Sequence, residues 1–139
     1  VHLGYILRRE YQGRYQKGLK AKEFFMMFYN ADCEKIAIEN PISSKVYNLP
    51  PRSQIIQPYE YGHPYSKKTC LWLKGLPMLT PTDVLSEYVQ FVSSGSACRK
   101  GLSVKDGMKT SAKDRAKTFS GIAKAMAMQW TGQNKELVK

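Results

Sequence analysis

Four prolines, Pro41, Pro50, Pro51 and Pro58, fall within eighteen residues near the middle of the chain, accompanied by Ser43, Ser44 and Asn48. Each proline fixes φ and removes a backbone donor, so neither a long helix nor a regular strand ladder can run through this stretch. What remains is an ordered loop or flap, with disorder as the alternative. A loop of this length in a compact domain is more often functional than idle. The secondary structure must therefore be built on either side of it.

On the amino-terminal side, RYQKGLKAKEFFMMFYN (14–30) places Tyr15, Leu19, Phe24 or Phe25 and Phe28 at helical spacing, with Lys17, Lys20 and Lys22 between them. This predicts an amphipathic helix closed by Asn30-Ala31-Asp32. A short strand around Ile36 and Ile38 follows and stops at Glu39-Asn40-Pro41. Helix, tight connection and apolar strand are half of a βαβ unit, which predicts a parallel sheet.

On the carboxyl-terminal side, KKTCLWLKGLP (67–77) alternates Thr69, Leu71 and Leu73 with Cys70, Trp72 and Lys74, and so predicts a second, central strand. Val84, Leu85, Tyr88 and Val92 suggest a short helix over 83–92, capped by Thr82 or Asp83. Residues 93–117 are rich in Ser, Gly and Lys and predict a flexible basic connection. A last helix is expected in TFSGIAKAMAMQW (118–130), with Phe119, Ile122, Ala123, Met126 and Trp130 on one stripe and Ser120 as its cap. Small residues at 121, 123, 125 and 127 allow close approach either of another backbone in a packed core or of a ligand. At 139 residues and 15.9 kDa, one α/β domain over 1–139 is the expected organisation.

Lys and Arg outnumber Asp and Glu by 22 to 11. A charge of +11 on so small a body sets up a strongly positive potential and points to an anionic partner, or else to a basic surface kept for solubility. From Arg99 onward ten Lys or Arg stand against three Asp or Glu, a net of +7. No apolar run approaches a membrane span, and no basic amphipathic helix or lipid motif suggests membrane attachment. Cys33, Cys70 and Cys98 have no CxxC spacing and an odd count, which fits reduced thiols and a cytoplasmic protein.

The familiar phosphate-loop, zinc-protease and nucleophile-elbow motifs are absent from the sequence. His2 and His63 are the only imidazoles, and neither has a cysteine or acid at ligand spacing, so no metal site is expected. Two groups of residues can carry chemistry. Glu39 and Asn40 at the end of a strand would stand where open parallel sheets place ligands. There a carboxylate can accept from an amino group or, when protonated, donate to a ring nitrogen, while its amide neighbour fixes its orientation. The alternative is that both merely cap the next turn. Lys67 and Lys68 can meet phosphate oxygens, with Tyr65, Tyr59 and Tyr61 as stacking faces, or the tyrosines can pack on their own domain.

Taken in order, IENP, IIQPYEYGHPYSKKTCLWLKGLPMLTPT and KTFSGIAKAMAMQW resemble the second half of phage-encoded proteins similar to DNA cytosine-5 methyltransferases. The resemblance extends from about Leu19 to Trp130. It implies a partial Rossmann-like, methyltransferase-type sheet flanked by helices, S-adenosyl-L-methionine as methyl donor, DNA as partner, and a phage or prophage protein in the cytoplasm of a bacterial host. Glu39 and Asn40 would hold a flipped cytosine by N3 and its amino group while a cysteine attacks C6. Pro41 stands where the family has Val.

Tyr65-Ser-Lys67-Lys68-Thr69 resembles the family's Gln-x-Arg-x-Arg segment, of which only Lys67 keeps a basic role. Gly121-Ile-Ala123 resembles the family's Gly-Asn-Ala helix start near the donor, with Ile122 in place of Asn. No cysteine in the chain follows a proline. The chain is thus expected to begin beyond the cofactor loop and the Pro-Cys nucleophile, and by itself to be inactive in methyl transfer. The alternative is a non-catalytic nucleic-acid or nucleotide binder derived from that family. A small domain with no nucleic-acid role is the third reading. A partial sheet with an open edge would also suit a homodimer or a missing amino-terminal half as partner.

Overall fold

The structure, a computed structural model, describes residues 2–91 and 118–132, with side chains from residue 12 onward in the first stretch. The expected basic connection over 93–117 lies outside the described residues. The fold is mixed α/β. Its described helices are α1 (His2–Tyr29) and α2 (Ser120–Trp130), and its strands are β1 (Ile36–Pro41), β2 (Gln54–Ile56), β3 (Tyr65–Ser66), β4 (Thr69–Lys74) and β5 (Val89–Gln90). The chain forms two compact units, Val1–Gln54 with Cys70–Leu76, and Ile55–Thr69 with Pro77–Lys139.

In the first unit, α1 is free of proline and draws on Leu, Lys, Arg, Gln, Glu and Met, residues that lose little side-chain freedom in a helix. Its glycine at 18 has a packing reason. A Cβ there would fall on the ring of Tyr47, so only glycine lets the 3-10 turn Lys45–Tyr47 lie on the helix. Tyr15 stacks on Tyr47 from the same side, with centroids 6.0 Å apart.

Deeper in the unit, Phe25 meets Trp72 edge-on at 4.9 Å, and both are buried with Cys70 among Met26, Ile38 and Leu49. The indole Nε1 of Trp72 donates to the carbonyl of Pro50 at 2.8 Å, which ties the proline loop to β4. That loop is therefore ordered, and it carries short elements instead of a long one, as the prolines require.

The sheet order is β1-β4-β2, so β4 is central as expected, and the sheet is antiparallel, not parallel. Parallel pairing occurs between the short strands β3 and β5, Tyr65 opposite Val89 and Ser66 opposite Gln90, and at the single bridge of Tyr61 with Asp83. The helix expected over 83–92 is consequently absent: Val89 and Gln90 are strand, and Tyr88 instead stacks on Tyr59 at 4.0 Å. Local apolar spacing yields here to tertiary pairing.

The second unit is fastened both by backbone hydrogen bonds between its turns and by side chains bonding to backbone. Gly62, at φ +84, donates to the Asp83 carbonyl at 2.8 Å, and Thr82 and Asp83 both donate to the Glu60 carbonyl at 3.1 Å. Gln129 at the end of α2 clamps the peptide groups of Thr80 at 2.8 Å in both directions, and Trp130 Nε1 donates to Pro77 at 3.0 Å. Ile122 and Ala125 are the buried positions of α2, which shifts its inner face by comparison with the expected stripe: Ala123 is exposed. Phe119, not Ser120, is the N-cap, and it makes no side-chain capping bond.

Candidate functional site

β1 reads IAIENP, and its exposure alternates along the strand. Ile36, Ile38 and Asn40 are half-buried on one face, while Ala37, Glu39 and Pro41 are exposed on the other. Glu39 and Asn40 fall at the carboxyl end of this strand, as the sequence leads one to expect, but on opposite faces of it, since successive side chains of a strand alternate. Glu39 is thus presented on the exposed face, and Asn40 is not placed to orient it.

A cleft of about 430 Å³ lies in the same unit, lined by Tyr29, Asn30, Ile36, Ile38, Trp72 and Lys74 among others. A second, of about 320 Å³, is bounded by the chain that directly follows β1, Ser43–Lys45 and Asn48–Arg52, with Cys70 and Trp72 as its buried floor. Asn48 takes a left-handed conformation at φ 45, a placement that asparagine tolerates better than most residues. Its N–H donates to the Lys45 carbonyl at 3.1 Å, and its own carbonyl accepts from Lys22 Nζ at 3.4 Å. Burial pushes the Cys70 thiol up, and the nearby Arg52 guanidinium pulls it part of the way back. Cys33 is exposed, with its thiol donating to the Lys35 carbonyl. Neither is set up as an activated nucleophile.

In the second unit, Tyr65 is half-buried against Phe91 at 5.5 Å and Phe119 at 6.0 Å, and the Lys67 ammonium sits 5.7 Å and 6.0 Å from the centroids of those two rings. Cation–π attraction and the alkyl stem hold Lys67 over this small aromatic core. Lys68 is exposed.

Gly121 opens α2 against the turn that ends β-ladder residue Tyr61: a Cβ at 121 would fall on the Tyr61 carbonyl oxygen and 2.9 Å from His63 Nε2. Its N–H donates to His63 Nε2 at 2.8 Å, which satisfies one of the donors a helix start leaves open. His63, set aside in sequence as a poor metal ligand, is therefore a remote cap. No group of three metal-binding side chains occurs among the described residues.

A cleft of about 360 Å³ beside Gly121 is lined by Tyr61, Thr82, Asp83, Lys124 and Gln129 among others. The Tyr61 hydroxyl is buried without a hydrogen-bond partner, and burial first, then the charge of Glu60, pushes its pKa up to about 12.

Of the expected site residues, Glu39 and Asn40 belong to the first unit, and Tyr65, Lys67, Lys68, Gly121 and Ala123 to the second. The basic rim of Lys22, Lys45 and Arg52 was not singled out in sequence. Its only signal there was a cation placed at each end of the proline loop, after Ser43-Ser44 and after Pro50-Pro51. Among the described residues, no helix is long and apolar enough to cross a membrane. No known protein family, curated protein or solved structure matches the chain.

Proposed function

We propose that this chain is the carboxyl-terminal portion of a phage-type DNA cytosine-5 methyltransferase-like protein, with Glu39 as the residue that holds the target cytosine. The observation that carries this reading is the strand IAIENP, which presents a carboxylate on its exposed face beside the central strand TCLWLK.

A base must leave the stack before an enzyme can reach it. Once it is out, the Glu39 carboxylate can accept from the exocyclic amino group and, when protonated, donate to the ring nitrogen. That contact offsets the charge that develops when a cysteine supplied by a Pro-Cys segment elsewhere in the protein adds to C6. The excess of Lys and Arg favours the approach of DNA.

S-adenosylmethionine would supply the methyl group. The space that glycine leaves at 121 is taken by Tyr61 and His63 of the chain itself, so packing accounts for Gly121, and Ala123 is exposed; the two form no cradle for the donor.

A second reading, a non-catalytic binder of nucleic acid, is favoured by the two described cysteines, one buried and one without an activating partner. Both readings are tested by fluorescence anisotropy on duplexes that carry a single unpaired cytosine or thymine. Glu39→Gln should lose about tenfold in affinity for the cytosine duplex, in keeping with roughly 1–3 kcal/mol for a well-made base contact, and nothing for the thymine duplex. Equal affinity of the wild-type chain for both duplexes, together with an unaltered Glu39→Gln variant, would sink the base-holding role. Joining the chain to an upstream Pro-Cys segment and assaying methyl transfer then separates enzyme from binder.

A further inference from the structure

We infer that the cleft walled by Ser43–Lys45 and Asn48–Arg52 grips backbone phosphates of the DNA strand whose base Glu39 meets. This deepens the proposed function and rests on its nucleic-acid half, not on methyl transfer. The cleft, of about 320 Å³, has Lys45 and Arg52 on its walls and no carboxylate among its lining residues. Both cations are exposed at the surface. A third cation, Lys22, is held to the Asn48 carbonyl.

Three features make this more than scattered surface charge. The backbone that carries the cations is pinned: Asn48 bonds back to Lys45, the Ser44 hydroxyl accepts from Val46 N–H at 3.4 Å, and Pro50 is held by the Trp72 indole. The turn itself is seated on α1 through Tyr47 at Gly18. The wall also begins at Ser43, three residues after Asn40, so about 10 Å of chain joins the cleft to the edge strand that presents Glu39; the cleft opens on the Ile38–Trp72 side of that strand and Glu39 on the other, so a DNA strand would meet both by passing over the sheet edge. A phosphate grip adjacent to a base contact is the usual division of labour, in which phosphate contacts set register and base contacts set specificity. Arg52 offers a planar fork suited to a phosphodiester, and Lys45 a point charge.

The test is the salt dependence of DNA binding by the full chain between about 50 and 200 mM NaCl, on the unpaired-cytosine and unpaired-thymine duplexes. Each phosphate contact contributes about 0.9 to the slope of log K against log salt. Lys45→Ala/Arg52→Ala should therefore flatten the slope by about 1.8 on both duplexes, roughly a tenfold smaller loss of affinity over that range. Lys17→Ala/Lys20→Ala, with the same change in net charge, should leave the slope unchanged, and Lys45→Arg/Arg52→Lys should keep it.

A slope unaltered in the Lys45/Arg52 variant, or lowered equally by the Lys17/Lys20 variant, overturns the cleft. A flattened slope with no preference for cytosine leaves the cleft standing and removes the base-holding role of Glu39. Preserved cytosine preference with an unaltered slope does the reverse.

Discussion

Each unit of the molecule contains one tryptophan whose indole N–H donates to a proline carbonyl, Trp72 to Pro50 in the first and Trp130 to Pro77 in the second, yet the two contacts serve different constructions. Trp72 is 4% exposed and sits at the centre of an aromatic cluster, so its hydrogen bond is the polar handle of a buried ring. Trp130 is only half-buried, and its bond is one of several that fasten α2 by its ends, with Gln129 on Thr80 and His63 on Gly121. Both units bury apolar side chains, Phe25, Cys70, Leu71 and Trp72 in the first and Ile56, Tyr61, Leu79, Ile122 and Ala125 in the second, but α2 of the second is in addition tied at its ends by side chains that meet peptide groups. The largest change of volume should accordingly cost most at Trp72, and changes of a single atom or donor should be felt at the ends of α2.

The largest effect expected is for Trp72→Ala. It removes the ring that Phe25 meets edge-on and frees the proline loop, at about 3–5 kcal/mol for a buried Trp truncated to Ala. Denaturant unfolding followed by far-ultraviolet circular dichroism would give the loss. Amide exchange should then rise at Phe25 and Leu71 first; equal exposure of Ile122 and Ala125 would break the contrast by showing that the two constructions fail together.

Gly121→Ala is the next largest, at about 3 kcal/mol, the upper end of the cost of overpacking. The added Cβ would meet a backbone carbonyl that cannot swing aside. The expected signature is faster exchange through α2 with the first unit's amides unchanged, and a silent substitution would mean that the start of α2 is not seated as described.

His63→Ala should cost least, about 1 kcal/mol, because it leaves one helix-start N–H to solvent and removes a ring that also touches Phe119. Exchange at the Gly121 amide is its direct readout. No change there would remove His63 from the capping role at the start of α2.

Where the structure departs from the sequence expectation, a partner far along the chain decides the outcome. The Ile36 strand, the central strand over Thr69–Lys74 and the last helix were legible because each buries residues spaced along its own element. The helix expected over 83–92 was not, because the partner that turns Val89-Gln90 into strand lies more than twenty residues earlier, at Tyr65-Ser66. Gly121 was noticed for its small size, but the cause of that size, a carbonyl at Tyr61, lies sixty residues away. His63 carried no signal at all: a lone imidazole becomes a cap only when a helix start is brought to it. The same holds for the cleft lined by Lys45 and Arg52, which sit seven residues apart in a loop that the Trp72 indole holds at Pro50.

Composition and local pattern by themselves determined that the chain is basic, that no long element crosses the prolines, and that a strand carries Glu39. These are properties of short windows, where periodicity, φ restriction and charge act without reference to the rest of the chain. Which face of that strand Glu39 occupies, that the sheet is antiparallel, and which glycines and cations have partners were decided only by the tertiary structure. Each of these is set by a contact between residues far apart in sequence, and such contacts leave no period for a sequence to show.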